Sequence, residues 1–464
     1  MGWSRRSRAA IEEWTGRRAG ACALLLAAAV GGVVVPVGAA AQEDLPKGVQ
    51  LKLVYETRYR DRVAVQPFSG SGMERVAQEV HRIVQRDLDY SDRFEMMFTI
   101  PERMRQGTGD YRAWNDLGVV YLVTGSMEPG SGGGYSLRVA LHDVVYGSVK
   151  EIRQFALPPL DDTGFRMAVH AVSDEVVRWA TGEPGIAATR VALTRLRPDG
   201  RHELLVVDSD GENLRRMHVE ESIYSPTWSP DGSKLAYVET DYVESDRVVE
   251  RDLRTGRTRV LTERGLPAST PSYAPGGDRL AMALWVDDGN EIHDYSVEAG
   301  CCMRRLSRRS RIDMHPSYSP DGRRIVFQSD RLGNPHIFTM PSDGGDAVLI
   351  TPFETGGPGY YTSPEWSPTG SQIVFHGRSR GGVFQVMVAN ADRPGGPVQQ
   401  ITSEGRSEDP SWAPDGRHIV FSGVRDDGMG LYVIDLVTGR IRPLVTGGRY
   451  RMPDWSPRTR GAAR

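Results

Sequence analysis

Six copies of one proline-bracketed motif constrain this chain more than any other feature. They read SPTWSPDG from Ser225, TPSYAPGG from Thr270, HPSYSPDG from His315, SPEWSPTG from Ser363, DPSWAPDG from Asp409 and a shortened MPDWSP from Met452. Their first prolines are Pro226, Pro271, Pro316, Pro364, Pro410 and Pro453, at successive spacings of 45, 45, 48, 46 and 43 residues. A period in the forties is the length of one four-stranded propeller blade.

The interior of a repeat agrees. After HPSYSP comes Asp321-Gly322, then RRIVFQSD, a turn at Leu332-Gly333-Asn334, PHIFTMP, Gly344-Gly345 and AVLIT. Four β-rich runs separated by turn dipeptides make an up-and-down sheet. Proline cannot donate to a ladder, so the doubly proline-marked strand belongs at a sheet edge, here the innermost strand facing the channel. The recurring aromatics Trp228, Tyr273, Tyr318, Trp366, Trp412 and Trp455 are read as packing between blades. The sixth copy ends too soon for a whole blade. RVALTRL (190–196), HELLVVD (202–208) and NLRRMHV (213–219) supply its missing strands, which seals the ring. The expected fold is therefore an all-β six-bladed propeller over 186–464, preceded by a smaller N-terminal α/β domain over 42–185.

That first domain reads as strand VAVQPF, a helix with Val76, Val80, Ile83, Val84 and Leu88 on one face, and three strands. A second helix buries Phe165, Val169, Val172, Val176 and Trp179, with cap oxygens expected from Asp161-Asp162-Thr163 and an end at Gly182. Glu183-Pro184-Gly185 is the hinge. Residues 1–41 read as a cleaved export signal: five arginines, the apolar run ACALLLAAAVGGVVVPV, and small residues ending at Ala41. That segment is +3, so removing it takes the net charge from -3 to about -6. Such a balance does not support a nucleic-acid surface. Export then places the protein in the periplasm with Cys301 and Cys302 as its cysteines. Adjacent cysteines bridge with strain, so they read as half-buried thiols rather than a redox device.

Candidate sites are few. The channel mouth is expected to be ringed by loops leading into the innermost strands: Tyr224-Ser225, Ser269-Thr270, Met314-His315, Thr362-Ser363, Glu408-Asp409 and Arg451-Met452. Six convergent loops on a rigid ring suit protein docking. Gly377-Arg378-Ser379-Arg380-Gly381 fits a hydrolase elbow by letters, but it falls in a hairpin with no hydrolase domain after it. Ser131-Gly132-Gly133-Gly134 lacks the Lys-Ser/Thr of a phosphate loop. The histidines lack metal-ligand spacing. No catalytic residue, cofactor or metal is assigned.

The repeats, VAVQPF, RDLDYSDRF, LGVVYLVTGS, DVVYG and the junction AVHAVSDEVVRWATGEPGIAATRVAL together resemble the TolB family, periplasmic propeller proteins of the Tol–Pal envelope system. In the junction His170, Ser173, Asp174, Glu175, Thr181, Gly182, Gly185, Thr189 and Arg190 match the family pattern, whereas Gln42–Arg62 departs from the family's N-terminal box. The resemblance implies a scaffold, not an enzyme, and the chain is expected to be a monomer. It implies docking of a peptidoglycan-associated Pal-like lipoprotein at the mouth and contact with a TolA-like inner-membrane protein through residues 42–62. The implied role is keeping the outer membrane intact during division. The alternative reading is an exported propeller enzyme or carbohydrate-binding module that uses the channel.

Overall fold

A computed structural model of the protein describes residues 60–105, 107, 109–217, 221–240, 246–262, 267–308, 312–353, 359–379 and 381–458, with the backbone of 49–50. The export-signal reading of 1–41 lies outside the described residues, as does most of the arm 42–62. Val49–Gln50 pairs in parallel with Val398–Gln399. Among the described residues no helix is long and apolar enough to cross a membrane.

The N-terminal domain is a five-stranded sheet in the order Glu95–Met97, Arg62–Val65, Tyr121–Pro129, Tyr135–Asp143, Ser148–Leu157. The first three strands are parallel, and the last two follow as antiparallel hairpins. Helices α1 (Glu74–Tyr90) and α3 (Phe165–Thr181) cover one face with the residues expected from their periodicity, joined by Ile83, Leu137, Val139 and Leu141 in one core. A short helix α2 (Tyr111–Asp116), capped by the Asp110 side chain on the Arg112 amide, covers part of the other face with Trp114. The α3 cap differs from expectation. Gly164 is the cap residue, and the Asp162 carboxylate accepts from the Gly164 amide instead of from the helix. Gly182 ends α3 with φ 85°, a conformation cheap only for glycine.

Six four-stranded antiparallel sheets follow, blade 4 gaining Val49–Gln50 as a fifth strand. Blades 1 to 5 span Ser222–Val260, Ala268–Arg305, Asp313–Leu349, Tyr361–Gln400 and Arg406–Thr446. Blade 6 is composite: Tyr450–Trp455 pairs antiparallel with Arg190–Leu196, followed by His202–Asp208 and Arg215–Arg216. Each motif aromatic is buried against the preceding blade. Trp228 packs with Ala192 and Leu204, Trp412 with Val374 and Val386, and Trp455 with Val420 and Leu431. Large aromatics therefore weld neighbouring sheets together.

The reading of the cysteines as half-buried thiols is overturned. Cys301 and Cys302 are exposed and joined to each other by a disulfide on the outermost strand of blade 2. Cys302 takes φ 69°, which turns the chain so that neighbouring side chains can meet.

Candidate docking site at the propeller mouth

The six innermost strands share one irregularity. Where the ladder runs Tyr224↔Val238 and then Thr227↔Ala236, Ser225 and Pro226 together face one partner residue, and the other five strands repeat this bulge. The bulge explains the proline. Pro226 has no amide to leave unpaired in a broken stretch of ladder. The residue before it takes a left-handed backbone in every blade: Ser225, Thr270, His315, Ser363, Asp409 and Met452 have φ between 46° and 53°. For a non-glycine residue this costs roughly 1–2 kcal/mol, and such strain gathers at functional sites.

These six residues, with the prolines after them, line a cavity of about 150 Å³ at the channel mouth. They sit inside the innermost strands, not in loops as the sequence suggested, because pairing resumes on both sides of each bulge. Of the twelve expected mouth residues, these are the ones brought into the channel. Tyr224, Ser269, Met314, Thr362, Glu408 and Arg451 stay in register with the second strand of their blade.

Bulged amides find partners around the ring. His315 N donates to Thr270 Oγ1 at 3.1 Å, Ser363 N to Gln328 Oε1 at 3.1 Å, and Asp409 N to His376 Nδ1 at 3.1 Å. Accepting that amide fixes His376 as the neutral ring protonated at Nε2, which meets Thr362 Oγ1 at 2.7 Å. Burial lowers its proton affinity. Burial pushes His315 down to about 4, with His376 as the second cause. Asp409 Oδ2 receives Ser422 Oγ at 3.1 Å, and Arg451 ties Glu408 and Asp409 together.

Two positions deeper, side chains latch the blades. Trp228 N donates to Asp454 Oδ2 at 2.7 Å, Trp366 N to Ser317 Oγ at 3.0 Å, Trp412 N to Glu365 Oε1 at 3.2 Å and Trp455 N to Ser411 Oγ at 3.0 Å. Glu365 and Asp454 also line the channel cavity, where burial raises both carboxyls, Glu365 further because of Asp454.

Above the cavity the rim mixes apolar side chains with charges of both signs, including Asp287, Asp288, Asp426 and Asp427. The tips between second and third strands expose Trp285, Leu332, Val383, Val424 and Met429, and Phe353 lies beside them. Beneath these tips, arginines at the ends of three second strands stack on aromatic pairs. Arg331 lies 5.4 and 4.7 Å from Phe327 and Phe338, Arg378 lies 4.8 and 5.3 Å from Tyr360 and Phe384, and Arg425 lies 4.9 and 5.2 Å from Phe421 and Tyr432. Sequence reasoning missed them, although Arg331, Arg378 and Arg425 are each 47 residues apart.

An α/β domain followed by a self-closing six-bladed ring defines a two-domain β-propeller protein. A family model described as the TolB beta propeller domain matches residues 177–459, and one described as the TolB amino-terminal domain matches residues 51–149. The chain belongs to the TolB family. It is 33% identical over 235 residues to the Tol-Pal system protein TolB of Bordetella pertussis, covering 50% of this chain and 52% of that protein. It is 35% identical over 213 residues to that of Methylococcus capsulatus, covering 43% and 47%. The chain spans about half the length of the curated relatives it matches. The crystal structure of TolB from Acinetobacter baumannii is similar with a TM-score of 0.75 and 26% identity, covering 86% of this chain and 97% of that one.

Proposed function

We propose that this protein is an exported envelope scaffold of a Tol-Pal system, and that a Pal-like, cell-wall-bound lipoprotein docks at its propeller mouth. The observation that carries this reading is the mouth itself, with six strained channel residues beneath a rim of exposed apolar tips and arginines. Exposed apolar side chains interleaved with charge are the chemistry of a protein interface. The names of its relatives, Tol-Pal system proteins, support the system assignment. Residues 42–62 would meet a TolA-like inner-membrane partner, and the complex would keep the outer membrane attached during division. The site of action is the periplasm, after cleavage near Ala41, and the working unit is a monomer without catalytic chemistry.

The channel-ligand alternative is weakened by size. Small-molecule pockets commonly hold roughly 300–1,000 Å³, and this cavity holds about 150 Å³.

The test is capture from solubilised envelope extract by the tagged protein. Wild type should recover a peptidoglycan-associated lipoprotein, and the rim pair Val424→Asp and Met429→Asp should lose it by at least about tenfold, since burying two unpaired charges costs several kcal/mol. Equal recovery by the rim variant refutes docking at the mouth. Removing residues 42–62 should leave that recovery intact while abolishing any inner-membrane partner.

A further inference from the structure

The seam between the N-terminal domain and the underside of the propeller is built from charge, with two fully buried histidines inside it. The end of α1 and the turn after it, Arg86–Asp92, meet blades 5 and 6. Arg440 holds Asp89 at 2.7 Å and Asp92 at 3.2 Å. Arg417 donates to the Asp92 carbonyl at 2.8 Å, and Arg442 lies 4.1 Å over the Tyr90 ring. In return Arg86 of α1 and Arg166 of α3 both reach Asp210, on a blade 6 turn, at 2.5 Å. Asp92 holds φ 53° and is buried, so the turn that carries it is strained.

His170 on α3 places Nδ1 2.8 Å from Asp87 Oδ2, in its own domain, and Nε2 3.8 Å from Asp210 Oδ2, across the seam. His418 in blade 5 mirrors it. Its Nδ1 is 2.7 Å from Asp415 Oδ2 in its own blade, and its Nε2 is 3.3 Å from Asp92 Oδ2 across the seam. At His418 a neutral imidazole, with one N–H, cannot serve two carboxylates, whereas imidazolium can. At His170 the cross-seam half is charge attraction alone, since Nε2 has no hydrogen-bond partner. Asp87, Asp210 and His170 could be taken for a metal cradle. A divalent ion would have to share Asp210 with the two guanidinium groups already on it, which disfavours a dication there.

We propose that His170 and His418 form a proton-operated clasp: each imidazolium joins a carboxylate of its own domain to one of the other domain, and loss of its proton releases the cross-domain half. The groups around each ring support this. His170 faces Asp87 and Arg86 from α1, Arg166 and Asp174 from α3, and Asp208 and Asp210 from blade 6. His418 faces Asp415, Asp435, Arg417 and Arg440 from blade 5 and Asp92 from the turn after α1. Burial alone would strip the proton from either ring, but the carboxylates outweigh it, and both rings sit above the ordinary imidazole value. A raised group stabilises fully below its unfolded value and stops doing so as pH climbs through its folded value. The clasp therefore holds through the ordinary imidazole range and opens as pH climbs above it. Asp210, Asp415 and Asp435 are held below the usual carboxylate range, whereas burial raises Asp174, beside His170, to about 7.

Amide hydrogen exchange on the full chain, corrected for intrinsic rate, tests this between about pH 6 and pH 9. Peptides covering 86–93 and 415–418 should lose about tenfold protection with rising pH, or about 1.4 kcal/mol, while strand Arg279–Val286 in blade 2 stays constant. His170→Gln with His418→Gln should give low, pH-independent protection at the seam. Asp92→Asn, which keeps both rings, should shrink the step at the α1 end alone. A wild-type seam that tracks the blade 2 reference across the range overturns the clasp, as does a double variant that keeps the step. The wild-type titration decides even if the double variant does not fold.

Discussion

Closure of the ring by its last strand makes Trp455 the side chain whose removal tests that seal most directly. Trp455 is 5% exposed and packs with Val191 of the early strand and with Val420 and Leu431 of blade 5. Its indole Nε1 donates to Thr189 Oγ1 at 2.8 Å. A tryptophan of about 200 Å², buried at about 25 cal/mol/Å², is worth about 5 kcal/mol as an upper figure. Measured Trp→Ala losses in cores run about 3–5 kcal/mol. Adding about 1 kcal/mol for the indole hydrogen bond, Trp455→Ala should lose about 4–6 kcal/mol. At about 2 °C per kcal/mol for a domain this large, Tm should fall by about 8–12 °C. The comparison is Trp412→Ala, which is equally buried in a blade made of continuous chain. Both should melt earlier. In Trp455→Ala alone the strand Tyr450–Trp455 should detach first, because covalent continuity does not hold it against Arg190–Leu196. That detachment leaves two open edges and should lower the denaturant m-value. Circular dichroism melts and denaturant titrations give both numbers. A Trp455→Ala protein that melts within about 2 °C of wild type, or that keeps the wild-type m-value while Trp412→Ala loses it, would refute the reasoning.

Three further outcomes follow from single contacts. Glu365→Gln should raise Tm by a few degrees at about pH 8 and leave it unchanged at about pH 5. The raised Glu365 carboxyl binds more protons folded than unfolded, so folding loses stability as pH rises through that window, and Gln escapes the loss while still accepting the Trp412 amide. Thr270→Gly should be within about 1 kcal/mol of wild type by chemical denaturation. It relieves a β-branched residue at φ 48° and gives up one hydrogen bond to the His315 amide, whereas Ser363→Val adds branching at φ 51° and should lose about 1–3 kcal/mol. Gly185→Ala would set its Cβ 2.3 Å from Asp174 Oδ1, the oxygen that accepts the Ala187 amide, and should lose about 1–3 kcal/mol in a thermal melt.

The ring was legible because its signals are local and repeated. Prolines, turn glycines and aromatics recur at fixed offsets, and the truncated sixth copy demands strands from elsewhere in the chain. The mouth was legible as a place and not as a geometry. Nothing in Ser225 or Asp409 as letters announces a left-handed backbone, which arises from a bulge set by two strands together. The seam was not legible. Arg440 meets Asp89 across more than three hundred residues, and RDLDYSDRF gives no local sign of the cations that its aspartates face. The cysteine pair misled for a related reason. Spacing argued against a bridge, while the positive φ that permits one is a property of the fold.

A sixfold ring would present the same face six times, so recognition of one partner needs the symmetry broken, and the breaks are not evenly spread. The backbone at the mouth is constant, with φ within a few degrees in all blades, but the side chains run Ser225, Thr270, His315, Ser363, Asp409, Met452. The arginine–aromatic stacks occupy blades 3, 4 and 5, and the exposed tips Leu332, Val383, Val424 and Met429 lie on the same three blades. Blade 5 also reaches the seam, since His418 begins the strand whose Ser422 bonds Asp409 at the mouth. A partner seated on the rim and the N-terminal domain clasped beneath thus share one hairpin. Lesions in it are separable because Val424 is exposed above and His418 is buried below. Val424→Asp should weaken capture without altering seam protection, and His418→Gln should do the reverse. If each changed both readouts equally, blade 5 would be moving as one rigid lever, and the clasp and the mouth would have to be described as a single site.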